Sequence, residues 1–258
     1  MCLILVAWRS HPDYPLVVAA NRDEFFARPS SPAAFWQEAP DVLAGKDLQA
    51  GGSWMGMTRS GRFAALTNFR DPGSQRPDAV SRGLLVAGFL RGRVPAADYL
   101  EAVSRRGRDF NGFNLLAGDG ENLGWYSNVP GAAPLLLEPG IYGVCNHLLD
   151  TPWPKVRAAK SALGEALGEL PGDAALFRLL CDDTIHPDES LPRTGVSLEW
   201  ERLLSAAFVR AGGYGTRNST VCRIGRDDWI VFDEQTWLEG GAAGPRRRYR
   251  FRRAGAPS

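Results

Sequence analysis

The segment Met-Cys-Leu-Ile-Leu-Val-Ala-Trp, residues 1–8, sets the interpretation of the whole chain. It is an apolar run of strand length in which Cys2 follows Met1. Removal of Met1, which is usual before a small second residue, would leave Cys2 with both a thiol and a free α-amine. An α-amine titrates at roughly 7.7–8.0, so it can act as the base that generates a nucleophilic thiolate. The segment is also consistent with a small apolar cysteine on a buried first strand.

The composition is that of a globular protein and excludes several classes of function. The 258 residues are 44% hydrophobic and 23% charged, and the formal net charge of +1 argues against bulk electrostatic binding of nucleic acid. No apolar stretch is long enough to span a membrane. Since no linker or change of composition divides the chain, we expect one domain over residues 1–258. The oligomeric state stays open.

The cysteines and histidines show no metal-binding pattern. The four cysteines are Cys2, Cys145, Cys181 and Cys222, and none of them lies in a CxxC pair. The three histidines are well separated in sequence, so no metal site is expected. Widely spaced cysteines and the lack of a signal-peptide pattern predict a cytoplasmic protein with reduced thiols.

Hydrophobic patterning predicts many strands and fewer helices. The predicted strands are Leu3–Ala7, Leu16–Ala20, Arg62–Phe69, Phe113–Ala117, Leu123–Tyr126, Ile141–Cys145, Thr216–Ile224, Trp229–Phe232 and Arg248–Arg252. The predicted helices are Ser81–Leu90, Pro95–Ser104, Pro154–Leu170, Asp173–Cys181 and Leu198–Phe208. Hairpins at both ends with helices in the middle indicate an α+β domain and not a doubly wound parallel sheet.

The block Asn-Arg-Asp-Glu at residues 21–24 follows the second predicted strand, where the chain is expected to open into a turn or a helix. Asn21 and Glu24 have the spacing of a helix capping box. In a functional interpretation, Asp23 holds the amine of Cys2 and Arg22 favours the thiolate. The spacing leaves both interpretations open, and Asn21 and Arg22 are also candidates for substrate binding.

Asparagines near the ends of predicted strands form a second set of candidates. Asn68, Asn114 and Asn146 each lie in such a segment, although asparagine is disfavoured in strands. Each could lock its own turn through a local hydrogen bond. A neutral amide is also a suitable donor to a developing oxyanion, and this interpretation applies best to Asn68 and Asn146.

Several further residues carry a functional and a structural interpretation. Arg217 follows a glycine-rich bend and is either a solvent-facing arginine or a ligand for a substrate carboxylate or phosphate. Trp54 lies in a glycine-rich segment where its ring could form the rim of a pocket. His147, next to Asn146, either lines a pocket or belongs to a turn. The basic run at residues 246–253 is better explained as a guarded edge strand than as a nucleic-acid surface.

Motifs distributed along the chain resemble those of the NRDE-motif family, also called the transport and Golgi organisation protein two family. The matching stretches are Met1–Cys2, Ala19–Phe25, Gly51–Gly56, Ala64–Asn68, Asn111–Leu116, Tyr142–Asn146, Asp150–Lys155 and Gly213–Arg217. The resemblance implies the fold of N-terminal-nucleophile (Ntn) hydrolases, an αββα four-layer sandwich of two mostly antiparallel sheets.

A more distant likeness to cysteine-type Ntn amidases, such as bile-salt and penicillin V hydrolases, implies catalytic roles. Cys2 matches the nucleophile, and Asp23 matches the aspartate near the amine. Asn68 and Asn146 match the oxyanion segments, and Arg217 matches a late active-site arginine.

The likeness has one departure. The arginine that those amidases carry just before their Asn-x-Asp step falls here on Ala20. Arg22 is the neighbouring candidate to replace it, but on a strand it is expected to face the other way.

The resemblance implies two main functions. The first is an amidase or thioesterase that acts on an acylated small molecule through Cys2 and requires no cofactor. The second is a non-catalytic protein that binds or traffics haem or acyl-CoA, because the family has been linked to haem mobilisation, lipid homeostasis and Golgi organisation. A structural trafficking adaptor is a third reading that no motif specifically favours.

Overall fold

Strands dominate the structure. The computed structural model describes residues 2–255. In chain order, the strands of this range are β1 (Cys2–Trp8), β2 (Leu16–Phe25), β3 (Ser30–Trp36), β4 (Ala39–Asp47), β5 (Met55–Thr58), β6 (Phe63–Asn68), β7 (Phe113–Gly118), β8 (Leu123–Ser127), β9 (Leu135–Leu136), β10 (Gly140–Val144), β11 (Arg210–Ala211), β12 (Tyr214–Ile224), β13 (Trp229–Trp237) and β14 (Ala243–Arg252). The α-helices are α1 (Gly83–Arg91), α2 (Ala96–Ser104), α3 (Pro154–Ala166), α4 (Ala174–Leu180) and α5 (Leu198–Leu203).

The strands form two antiparallel sheets of seven strands each. The first sheet has the order β10-β1-β2-β12-β13-β14, with β11 beside β12. The second sheet follows the chain without interruption from β3 to β9. The first sheet therefore brings the N-terminal hairpin between β10 and β12, which come from distant parts of the chain.

Alternation along β1 shows how the layers are arranged. Ile4, Val6 and Trp8 belong to the core between the two sheets. Leu3 and Leu5 point to the opposite face and pack in a separate core with helices α3 and α4. Successive strand residues face opposite sides, so both faces of the first sheet are buried.

The second sheet is covered in the same way. Its outer face packs against α1 and α2 through a third core that includes Phe89, Leu100 and Phe113. The order of layers is therefore helices, sheet, sheet, helices. This αββα arrangement is the fold class that the sequence predicted.

The prediction that residues 21–24 open into a turn or helix was wrong. Strand β2 continues through Phe25, and this extension pairs with β1 and β12, with Arg22 opposite Cys2 and Asp23 opposite Thr216. No helix starts at Asn21, so the capping-box interpretation is wrong as well. Sheet pairing on both sides provides hydrogen bonds that a local pattern cannot reveal.

Strands β3, β4 and β5 were missed in the sequence. Their segments hold Ser, Pro, Gly and Asp, and β5 has only four residues. Such composition gives little strand propensity, and pairing within the meander determines the conformation instead.

Two predicted helices end early. The helix predicted over Pro154–Leu170 ends at Ala166 and continues as a 3₁₀ turn, Leu167–Glu169. The helix predicted over Leu198–Phe208 ends at Leu203. Residues 204–209 instead form a buried strap over the first sheet, where side chains of the sheet and of α3 bind its carbonyl groups.

The basic run near the C-terminus forms β14, which is an edge strand, as predicted. Tyr249 and Phe251 pack against the core between the sheets. Arg246 and Arg248 form ion pairs with Asp233. Within residues 2–255, no helix has the length and apolar character needed to cross a membrane.

Candidate active site

Cys2 lies at the start of β1 and lines a cleft of about 280 Å³. Strand alternation turns its side chain toward the core between the sheets, on the same face as Ile4. Burial raises the pKa of the Cys2 thiol, and the charge of Asp23 acts in the same direction. The charge of Arg22 and a hydrogen bond from the backbone of Asp23 oppose this rise. The thiol therefore needs a base close to it to react as a thiolate.

Arg22 is the cross-strand partner of Cys2 and lines the same cleft. Its side chain is almost fully buried and stacks on Trp54, with 4.3 Å between the guanidinium carbon and the ring centroid. Its Nη2 lies 3.7 Å from Oε2 of Glu24. Its buried Nη1 has no hydrogen-bond partner among the described residues. The cleft therefore contains a guanidinium with a donor available to a ligand.

The expectation that Arg22 faces away from the side of Ala20 was wrong. Residues two apart on a strand share a face. Ala20 belongs to the core between the sheets, and Arg22 projects to that same side over Trp54. An arginine is thus present on this face. Arg22 lies directly opposite Cys2 on the neighbouring strand, whereas Ala20 lies opposite Ile4.

Asp23 points to the helix-covered face of the first sheet and is fully buried. Its Oδ1 accepts a hydrogen bond of 2.7 Å from the Thr216 hydroxyl. Burial raises the pKa of Asp23, whereas the charge of Lys155, the Thr216 hydrogen bond and the charge of Arg22 lower it. Burial outweighs these effects, so the pKa of the Asp23 carboxyl lies above its ordinary value.

Asn21 points to the same covered face and does not project into the cleft. Its Nδ2 donates to the carbonyl oxygens of Leu180 at 2.7 Å and Ala207 at 2.8 Å. Its Oδ1 accepts from the Ser219 hydroxyl at 2.6 Å. These contacts fasten the buried strap at residues 204–209 and the end of α4 to the sheet.

Asn68 and Asn146 lie next to each other but in different environments. Asn68 ends β6 and lines the Cys2 cleft. Asn146 is fully buried, and its Nδ2 donates to the Asn68 carbonyl oxygen at 2.9 Å. The backbone N–H of Arg70 in turn donates to the carbonyl oxygen of Asn146 at 2.8 Å. Asn68 can therefore contact a substrate, whereas Asn146 holds the backbone of Asn68.

Arg217 and His147 do not line the cleft. Nη1 of Arg217 donates to the carbonyl oxygens of Phe25 at 3.1 Å and Arg28 at 2.6 Å, next to a β-bulge in β12. His147 packs beside Phe69 and Trp153. The predicted site residues that line the cleft are Cys2, Arg22, Asp23, Trp54 and Asn68, and Arg217 and His147 lie outside it.

Sequence reasoning missed the arginines at the mouth of the cleft. They are Arg28, Arg76 and Arg82. Arg28 pairs with Asp47 at 2.7 Å, whereas Nη2 of Arg76 and Nη1 of Arg82 donate to backbone carbonyl groups. The sequence offers one indication for two of them: Arg76 and Arg82 lie in the loop that follows β6, the strand that ends at Asn68.

The match to known families covers most of the chain. The family model described as "Transport and Golgi organisation 2" matches residues 1–239. The chain belongs to this family.

Relatives from animals confirm the membership. The bovine Transport and Golgi organization protein 2 homolog is 38% identical over 92% of this chain and 94% of its own length. The mouse homolog is 36% identical over 93% of this chain and 94% of its own. The Drosophila melanogaster protein is 30% identical over 92% of both chains.

Two solved structures are similar to this chain. A Caenorhabditis elegans N-acylethanolamine-hydrolyzing acid amidase ortholog aligns with a TM-score of 0.50 at 12% identity and covers 85% of this chain and 92% of its own. A C2A mutant of the conjugated bile acid hydrolase from Clostridium perfringens aligns with a TM-score of 0.44 at 10% identity, over 100% of this chain and 99% of its own. The first match shows a shared fold.

Metal binding depends on how the His, Cys, Asp and Glu side chains of the described range are arranged. Among residues 2–255, no group of three or more His, Cys, Asp or Glu side chains is arranged to hold a metal ion. The cleft is lined by the Cys2 thiol, by arginines, by carboxylates and by the Asn68 amide.

Proposed function

We propose that this protein is an Ntn-type hydrolase that cleaves an amide or thioester bond of an acylated small molecule through Cys2. The observation that carries the proposal is that the thiol at the start of β1 and Asn68 line one cleft. A nucleophile and an amide donor on one concave surface are the minimum requirement for acyl transfer.

The reaction begins once Met1 has been removed and Cys2 carries the free α-amine. The amine takes the thiol proton, and the thiolate adds to the substrate carbonyl carbon. The Asn68 side chain donates to the resulting oxyanion. The tetrahedral adduct collapses to an acyl-thioester on Cys2, and the α-ammonium returns the proton to the departing amine or thiol. Water, deprotonated by the same amine, then releases the carboxylic acid and restores the thiol.

Two neighbouring charged residues support this sequence of steps. Arg22 favours the thiolate against the rise in pKa that burial causes. Asp23, behind the strand, places a carboxyl near the terminus where the ammonium forms.

The arginines at the cleft favour an acylated substrate that also carries an anionic group. Arg22, Arg28, Arg76 and Arg82 line the same surface as Cys2. The acidic residues of that surface are Asp23, Glu24 and Asp47, and Glu24 and Asp47 pair with Arg22 and Arg28. Arg76 and Arg82 donate to backbone carbonyl groups and are the arginines of this surface best placed to meet an anionic group. The C. elegans structural neighbour is named as an N-acylethanolamine-hydrolysing amidase, which makes acyl amides a natural first substrate panel. Acyl-CoA thioesters form the anionic panel.

A second candidate function is non-catalytic binding of acyl-CoA or haem in the same cleft. The raised pKa of the Cys2 thiol and the alanine at position 20 favour it, because both reduce the expected reactivity. The cleft arginines suit the phosphates of acyl-CoA or the propionates of haem. Cys2 is the only cysteine or histidine among the described lining residues, so it would be the ligand for a haem iron. The four described cysteines are free, which suits the reducing cytosol in which we place the protein.

The decisive experiment is labelling with a cysteine-reactive probe, followed by mass spectrometry of the labelled peptides. We expect label on Cys2, protection by an acylated substrate, and turnover that is lost in Cys2→Ala. Cys181→Ala is the matched control because Cys181 is exposed and lies outside the cleft. Turnover retained by Cys2→Ala would exclude the proposed nucleophile.

The mass of the purified N-terminus tests the base. Retention of Met1 would remove the free amine of Cys2 and contradict the mechanism. Titrations with acyl-CoA and with hemin then separate the two functions: saturable binding without turnover supports the binding protein.

A further inference from the structure

A second cavity lies at the opposite end of the sandwich from Cys2, and the proposed reaction does not use it. Strand β1 connects the two sites, because Cys2 lines the cleft and Trp8 lines the second cavity. Six residue steps along a strand separate them by roughly 20 Å. The cavity volume is about 490 Å³, larger than that of the cleft and within the range of small-molecule sites.

The floor of this cavity is apolar. It is formed by side chains of the core between the two sheets that are at most 5% exposed, namely Trp8, Leu16, Phe63, Leu123 and Ile224. The Arg9 guanidinium lies over the Trp8 ring, 4.7 Å from its centroid. The hairpin turns of both sheets meet here, so the ends of the core side chains are covered only by turn residues. An apolar ligand group that enters the cavity would cover this end of the core.

The rim is positively charged. The charged residues that line the cavity in the described part of the chain are Arg9, Arg226 and Arg253, and no carboxylate side chain is among the lining residues. Arg253 pairs with Asp228 at 2.6 Å. Arg9 and Arg226 have no carboxylate partner within residues 2–255. The rim therefore keeps two uncompensated positive charges.

Backbone contacts hold these guanidinium groups in place. Nη2 of Arg9 donates to the carbonyl oxygen of Glu121 at 2.6 Å, which connects a turn of the first sheet to a turn of the second. Nε of Arg226 donates to the carbonyl oxygen of Pro12 at 2.5 Å. Each guanidinium uses one edge for the protein and retains other N–H groups, which matches the planar fork that recognises a carboxylate.

Glycines at two turns lie close to the side chain of Arg253. Gly120 has a φ of +96°, and a Cβ built on it would lie 3.8 Å from Nη1 of Arg253. Gly61 has a φ of +85°, and its Cβ would lie 3.0 Å from Cδ of the same arginine. A side chain at position 61 would therefore displace the Arg253 side chain, and the positive φ at both positions favours glycine.

The basic edge strand leads to this cavity. Arg250 and Arg252 of β14 stack on Trp229 at 3.9 Å and 5.2 Å, and the next residue is the rim residue Arg253. Like charges around one opening raise the local concentration of anions and the rate at which they arrive.

We propose that this cavity binds a small amphipathic organic carboxylate, with its apolar body on the floor and its carboxylate at Arg9 and Arg226. An ion without an apolar part would make no contact with the apolar floor. A neutral apolar molecule would leave the arginines of the rim without an anionic partner. The site is independent of the hydrolase proposal, because it shares no lining residue with the Cys2 cleft.

The test uses the fluorescent aryl sulfonate 1-anilinonaphthalene-8-sulfonate as the probe and the full chain as the protein. We expect saturable binding that octanoate displaces, whereas 1-octanol and inorganic phosphate at the same concentration do not. Arg9→Gln/Arg226→Gln should weaken octanoate binding at least tenfold. Cys2→Ala should leave it unchanged, so failure of this proposal and failure of the hydrolase proposal are distinguishable.

A matched variant controls for the loss of charge. Arg105→Gln/Arg178→Gln removes two arginines whose side chains are 75% and 70% exposed and which lie outside the cavity. The proposal is overturned if both double variants bind octanoate equally, if octanol competes as well as octanoate, or if phosphate alone displaces the probe. Thermal unfolding checks that the variants fold, and Arg226→Gln alone, on an exposed turn, repeats the test with the smallest structural change.

Discussion

Cys2 and Arg22 are direct cross-strand partners on the face of the first sheet that is turned to the second sheet. Burial raises the pKa of the Cys2 thiol, and the cation of Arg22 opposes this rise. The resemblance to cysteine-type Ntn amidases implies an arginine at position 20, where this chain has an alanine on the same face as Arg22 and two residues from it. The strand thus offers a guanidinium beside the thiol although the expected position holds alanine.

Replacing Arg22 should make Cys2 less reactive. In Arg22→Gln, the lost cation lets the thiol pKa rise further, so the thiolate fraction at neutral pH falls. We expect the labelling rate of Cys2 to reach its half-maximum at a higher pH than in the wild type. The measurement is the rate of alkylation between pH 6 and 10.

Arg28→Gln is the control for this experiment. Arg28 lines the same cleft but pairs with Asp47 at 2.7 Å and is not among the charges that act on the thiol. If both variants raised the pH of half-maximal Cys2 labelling equally, the effect would not be specific to Arg22.

Replacing Asn68 should reduce catalysis, whereas replacing Asn146 should reduce both stability and catalysis. Asn68→Ala removes a donor at the cleft, so we expect kcat to fall by about 10²–10³ with an unchanged melting temperature. Asn146→Ala removes a buried bond to the Asn68 carbonyl oxygen, so we expect lower stability, by about 1–3 kcal/mol, together with lower activity. Steady-state kinetics and thermal unfolding of both variants check this. A large loss of stability in Asn68→Ala with full activity per folded molecule would contradict it.

Arg70 and Glu201 form a buried ion pair that fixes the segment after Asn68. Nη1 of Arg70 lies 2.7 Å from Oε2 of Glu201, and the two side chains are 5% and 4% exposed. Glu201→Gln leaves a buried arginine charge without its carboxylate, so we expect a loss of about 3–5 kcal/mol in the free energy of unfolding. Urea denaturation measures it.

The exposed pair of Glu169 and Arg178 provides the comparison. Their side chains are 56% and 70% exposed, so Glu169→Gln should change the unfolding free energy by less than about 1 kcal/mol. Similar losses in the two variants would show that burial does not determine the strength of the Arg70–Glu201 pair.

Glu234 should make stability depend on pH in the neutral range. Burial raises its pKa from 4.5 to about 7, against the opposing effects of the Ala33 backbone hydrogen bond and the charges of Arg22 and Arg247. A raised folded-state pKa means that the folded state binds the proton more tightly. The contribution of protonated Glu234 to the stability of the folded state is therefore fully present below about pH 4.5. It is lost as the pH rises through about 7.

Glu234→Gln removes this titration. We therefore compare the difference in unfolding free energy, variant minus wild type, at two pH values. This difference should be larger at pH 8 than at pH 4.5, by up to about 3 kcal/mol. Urea denaturation at both pH values measures the difference, and Glu165→Gln on the exposed face of α3 is the control. A constant difference between variant and wild type across this range would contradict the prediction.

The sequence predicted the elements whose patterns are local. Continuous apolar runs identified β1 and the start of β2, because residues of a buried strand are apolar on both faces. It also nominated Cys2, Asn68 and Trp54, which share the cleft. Strands β3 and β5 escaped detection because pairing, not propensity, holds them in place.

The sequence by itself determined the family, the layered α+β fold and the thiol at the start of the first strand, because these depend on residue identity and on periodicity along the chain. Only the tertiary structure decided which side chains meet. The register of β1, β2 and β12 places Arg22 beside Cys2 and turns Asn21 and Asp23 to the helix-covered face. It also leaves Arg217 on backbone carbonyl groups outside the cleft. The physical reason is that strand pairing joins residues nearly two hundred positions apart, and a shift of one residue would exchange the two faces.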